Sequence, residues 1–94
     1  MSNVVQLSER RPSQVAVARA LFALQAKCTL WDLEDCPADD GQPSVAATSV
    51  LGEVVGFHWK GGKWFCLNEN GQPIMEPSAG LEELMRRALS IPEV

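Results

Sequence analysis

The chain has 94 residues, a formal net charge of −4 and 46% hydrophobic residues, which bounds it to one domain with one core. No apolar run approaches the ~20 residues needed to span a bilayer, because Arg19 interrupts the longest candidate, Val15 to Leu24. The eight basic residues are scattered and not striped, so a direct grip on nucleic-acid phosphates is not expected.

The first residues lack the order of a secretory signal, since Arg10 and Arg11 follow the short apolar patch Val4, Val5 instead of preceding a long one. Three cysteines, Cys28, Cys36 and Cys66, are odd in number and unlike a small secreted framework, which points to reduced thiols. The expected compartment is the cytoplasm. Residues 1–12 read as a mobile polar tail, and 13–94 as one α+β domain.

Ser13 can cap a helix beginning at Gln14, in which Val17, Leu21, Leu24 and Cys28 recur on one face. Its apolar arc is wide, leaving Gln14, Arg19, Gln25 and Lys27 as the polar remainder, so it needs cover on more than one side. Thr29 to Asp35 is expected to continue that helix or to form a short second one. Cys36, Pro37 and the run Asp39 to Pro43 then end regular structure in the main exposed loop. Between Ser44 and Leu51 the signals conflict, and a short helix capped by Ser44 and Gly52 is favoured over an extended segment.

From Val54 to Met75, two turn signals separate three runs of strand-type residues, the pattern of two successive hairpins. A two-residue turn at Gly61 and Gly62 sets Lys60 opposite Lys63, Trp59 opposite Trp64, His58 opposite Phe65 and Phe57 opposite Cys66. A second turn at Asn70 and Gly71 sets Leu67 opposite Ile74 and Cys66 opposite Met75. Val55, Phe57, Trp59, Trp64, Cys66 and Met75 then share one face, and Val54, Phe65, Leu67 and Ile74 the other. A sheet that is apolar on both faces is sandwiched between helices or buries its second face on another protein.

Ser78 can cap a final helix with the stripe Leu81, Leu84, Met85, Ala88 and Leu89, supported by the pairs Glu82 to Arg86 and Glu83 to Arg87. The predicted fold is α+β: a small antiparallel three-stranded meander packed with an N-terminal and a C-terminal helix.

The same register tests the chemistry. His58, the sole histidine, points to the face opposite Cys66, which disfavours a Cys–His dyad and a cysteine-rich zinc site together. Cys36 lies beside Glu34 and Asp35, whose charge disfavours a thiolate. Asp39 and Asp40 are adjacent in a loop that offers neither fixed separation nor a dry setting for acid–base work. Phosphate-loop, dinucleotide and calcium-loop patterns are absent from the sequence. No catalytic residue, metal or cofactor is therefore expected.

The candidate contacts are Trp59 and Trp64, which form either a recognition surface near a hairpin tip or part of the core. Lys60 and Lys63 at that tip, the acidic stretch Asp32, Glu34, Asp35, Asp39 and Asp40, and Arg86 with Arg87 complete the set. The acids read as a solvated loop or as an anionic surface for a basic protein, including a nucleic-acid-binding complex. The expected function is a small non-enzymatic protein-binding regulator or inhibitor of a larger assembly. The expected setting is a phage or mobile element, with an anti-CRISPR-type inhibitor as the specific form. The alternative is a structural homodimer burying helix 14–28 or one sheet face against its own copy.

Overall fold

The computed structural model describes residues 11–91, so most of the expected tail lies outside the described residues. Helix α1, Gln14–Gln25, starts where the Ser13 Oγ accepts the Ala16 N–H at 3.1 Å, satisfying one of the free donors of the first turn. It closes as the Lys27 and Cys28 N–H groups turn back onto the Leu24 and Gln25 carbonyls, a spacing tighter than that of the α-helix. Val17, Leu21 and Leu24 are buried on its inner face, joined by Cys28 beyond its end.

Four strands follow: β1 Trp31–Asp35, β2 Ser44–Ser49, β3 Val54–Lys60 and β4 Lys63–Leu67. They form one antiparallel sheet in which spatial order is sequence order. The fold is α+β, but with four strands where three are expected from the sequence. β1 and β2 take the place of the helices predicted over 29–35 and 44–51. In both, alternate side chains turn inward, Trp31 and Leu33 in one, Val45 and Ala47 in the other, a period of two that a helix cannot satisfy. Gly52, a helix cap in the sequence reading, instead takes φ +91° in the turn between β2 and β3, a left-handed conformation glycine adopts without strain. There the Ser49 Oγ accepts from the Leu51 and Glu53 N–H groups.

The hairpin of β3 and β4 has the predicted register at every pair from Phe57–Cys66 to Lys60–Lys63. The predicted third strand does not follow. Asn68 Oδ1 accepts from the N–H groups of both Asn70 and Gln72, which widens the turn and sets Leu67 opposite Pro73, one residue from the expected Ile74. The chain then touches the edge of β4 again at Trp64–Ser78, but Pro73 and Pro77 have no N–H to build a ladder between. Met75 still packs on the core, while Ile74 is exposed.

Helix α2, Leu81–Leu89, begins after Gly80 and not at Ser78. Ser78 is held extended by its two backbone bonds to Trp64, at 2.7 and 3.0 Å, and its hydroxyl accepts the Gly80 N–H. Leu81, Leu84, Met85 and Leu89 are buried. Glu82 and Arg86 pair at 3.0 Å, whereas Arg87 is exposed without the expected Glu83 contact. α1 packs on β1 and on α2, and α2 on β4. The core thus lies between the helix layer and the sheet face of Val45, Ala47, Phe57, Trp59, Trp64 and Cys66.

Candidate functional site

The inner face decides the tryptophans. Trp59 is 7% exposed and Trp64 2% exposed, with ring centroids 5.8 Å apart in an edge-to-face arrangement. The pairing predicted by the hairpin is real, but it points at the protein's own helices. Neither ring is a surface contact, which corrects the recognition-surface reading of Trp59 and Trp64. Lys60 and Lys63 remain exposed across the Gly61–Gly62 turn.

The opposite sheet face carries Asp32 and Glu34 from β1, Ser44, Ala46 and Thr48 from β2, Val54, Gly56 and His58 from β3, and Phe65 and Leu67 from β4. Among the described residues, neither helix lies on it. Its centre is a shallow trough of small residues, Ala46 beside Gly56, and a Cβ placed on Gly56 would meet nothing within 4 Å. Phe65 stands opposite His58 and Leu67 opposite Gly56, so an apolar bank flanks the trough on the β4 side.

At one end the loop after β1 folds against this face. His58 Nε2 lies 3.4 Å from Asp40 Oδ2. The Asp40 carboxyl is held below the usual aspartate range, chiefly by accepting the Gln42 N–H and secondarily by the facing His58. The Arg11 guanidinium donates to the Gly41 carbonyl at 2.8 Å, fixing the chain just ahead of α1 to the same loop. Asp39 is exposed. The five acids therefore sit on β1 and its following loop, whereas Arg86 and Arg87 belong to α2 in the other layer. These charges do not form one patch.

His58 and Cys66 stand on opposite faces, as the register requires. Burial pushes the Cys66 thiol up, keeping it protonated and inert. Among the described residues no three His, Cys, Asp or Glu side chains stand close enough to share a metal ion. No helix of the described residues is long and apolar enough to cross a membrane. In the native protein a thiol reagent such as Ellman's should label Cys36, which is exposed, at once and leave Cys28 and Cys66, which are buried, until denaturant is added. Rapid labelling of all three in buffer would mean that the core opens readily.

Two polar residues of α1, Gln14 and Gln25, carry no site signal in the sequence. Gln25 Nε2 donates to the Trp31 carbonyl at 2.9 Å and the Cys28 carbonyl at 3.1 Å, and its Oε1 accepts the Leu33 N–H at 2.8 Å. Gln14 Nε2 reaches Asp35 Oδ2 at 3.3 Å. Both project from α1 onto the outer edge of β1. Their spacing of eleven places them on one line of the helix, bordering the core stripe instead of opposing it. Protein-family models, curated proteins and solved structures give no match to this chain. The functional reading rests on this geometry.

Proposed function

We propose that the protein is a small non-enzymatic regulator or inhibitor that acts by binding a component of a larger assembly through the helix-free face of its sheet. The observation that carries this reading is the placement of both helices of the described residues on one side, which leaves half-buried Phe65 and Leu67 and exposed Val54 on a face that neither helix covers. Apolar side chains on an open sheet face are characteristic of a surface that meets another protein. The acids of β1 and its loop border that face and favour a basic partner, including a nucleic-acid-binding complex. A phage or mobile-element inhibitor of anti-CRISPR type is the specific form proposed, acting in the cytoplasm.

The test is capture of a partner from host extract by the full chain and by a Phe65→Ala/Leu67→Ala double variant. The wild type should retain a stoichiometric partner that the variant loses, with both proteins folded by circular dichroism. Equal retention by both, or none by the wild type, would sink the reading. One observation favours the homodimer instead: Phe22 is 83% exposed and Val15 61% exposed, seven residues apart on the solvent side of α1. Light scattering at high micromolar concentration separates the two, since a strict monomer removes the dimer.

A further inference from the structure

β1 is an edge strand, and of the six outward backbone groups of Trp31, Leu33 and Asp35 two are occupied within the described residues. The Val50 N–H donates to the Leu30 carbonyl and the Cys36 N–H to the Ser44 carbonyl, so even-numbered residues of this stretch bond to β2. By the alternation of an antiparallel ladder, Trp31, Leu33 and Asp35 turn their N–H and C=O groups away from the sheet. Gln25 engages the Trp31 carbonyl and the Leu33 N–H with a single side-chain amide. Those are the two bonds that one residue of a parallel neighbouring strand would make astride Asp32. One step further along, the Leu33 carbonyl and the Asp35 N–H have no partner among the described residues.

The other edge differs. β4 is already paired at Trp64 with Ser78, at Cys66 with Ile74 and, just beyond its end, at Asn68 with Gln72.

Charge decides what can fill the open part of β1. The strand reads Trp-Asp-Leu-Glu-Asp, with Asp32 and Glu34 exposed on the helix-free side. Edge strands are commonly guarded by charge against pairing with other chains. Here the guard is of one sign, so a second copy of β1 laid alongside would set acid against acid, while a basic strand would be drawn in. On the helix side, Ala18 is exposed and lies within about 40° of the line of Gln14 and Gln25 on α1, so a small residue borders that edge.

We propose that the outer edge of β1 takes up an extended basic segment of a partner protein as a parallel strand. One of its residues sits astride Glu34, donating its N–H to the Leu33 carbonyl and accepting the Asp35 N–H, with a Lys or Arg side chain beside Glu34 and within reach of Asp32. This rests on the protein-binding reading above and gives that partner its chemistry. Strand addition of this kind draws affinity from main-chain bonds and selectivity from alternate side chains.

The probe is the peptide acetyl-Lys-Val-Lys-Val-Lys-amide, titrated into the 15N-labelled full chain, beside the same peptide with its lysine backbone nitrogens methylated. The Asp35 amide should shift most. Binding should weaken at least about tenfold with the methylated peptide, and again with an Asp32→Asn/Glu34→Gln variant whose spectrum is otherwise unchanged. No shift at Asp35, or equal binding of the two peptides, overturns the inference. Shifts centred on Phe65 and Leu67 also overturn it but leave the protein-binding reading standing, and that reading fails separately if no partner is captured.

Discussion

Replacing Trp64 with alanine should cost about 3 to 5 kcal/mol of folding stability. The ring is 2% exposed, stacks edge-on against Trp59 and fills the space where β4 meets the start of α2. A domain of this size holds roughly 5 to 15 kcal/mol in total, so the variant should be largely or wholly unfolded at 37 °C. Its backbone, paired to Ser78 on both N–H and C=O, survives the substitution, but the cavity beneath the helices does not collapse. Trp64→Phe retains most of the apolar volume and should lose well under half as much. Urea titration followed by circular dichroism measures both, and an alanine variant within about 1 kcal/mol of wild type would contradict the packing described.

Replacing Gln25 with alanine should cost roughly 1 to 3 kcal/mol. The amide makes three hydrogen bonds in a half-buried setting, two of them to β1, and alanine leaves those backbone groups to find water at the seam between helix and strand. Gln25→Met separates causes, because it keeps the length of the side chain and abolishes the bonds; a similar loss in both variants assigns the effect to hydrogen bonding. Hydrogen exchange gives a local readout, since the Leu33 amide should exchange far faster in either variant while Phe57 and Cys66 in the sheet centre change little. An unchanged midpoint together with unchanged Leu33 exchange would show that the clamp contributes nothing.

How much of this was legible in the sequence depends on whether the signal was local. The Gly61–Gly62 turn imposes its own register, so the pairs from Phe57–Cys66 to Lys60–Lys63, and with them the opposite faces of His58 and Cys66, follow from a few adjacent residues. Asn70–Gly71 carries the same kind of signal with a different outcome, because the Asn68 side chain captures two backbone N–H groups and lengthens the turn by its own local chemistry. β1 was hidden by its brevity: Trp31, Leu33 and Asp35 alternate with Asp32 and Glu34, but five residues also fit a helical turn or two. β2 was hidden by composition, since Ala46 and Ala47 favour helix and only pairing on both sides makes that stretch a strand.

For the candidate site, the acidic residues were visible as charge and the tryptophans as a pair. Their roles depend on which face the helices cover, and helix-to-sheet docking is a long-range fact that no window of sequence contains. Gln14 and Gln25 show the limit most plainly. They read as the polar remainder of an apolar helix, and became seam residues only once β1 was laid beside them.

The unequal edges of the sheet have a consequence for self-assembly. Pro73 and Pro77 lie in the segment that closes β4, whereas β1 is closed only where Gln25 spans Trp31 and Leu33. Among the described residues, one edge of the sheet is therefore open to strand addition and the other is already bridged. A copy docked by its β1 edge offers no bare β4 edge to the next copy, which disfavours growth of a continuous sheet built from this protein alone.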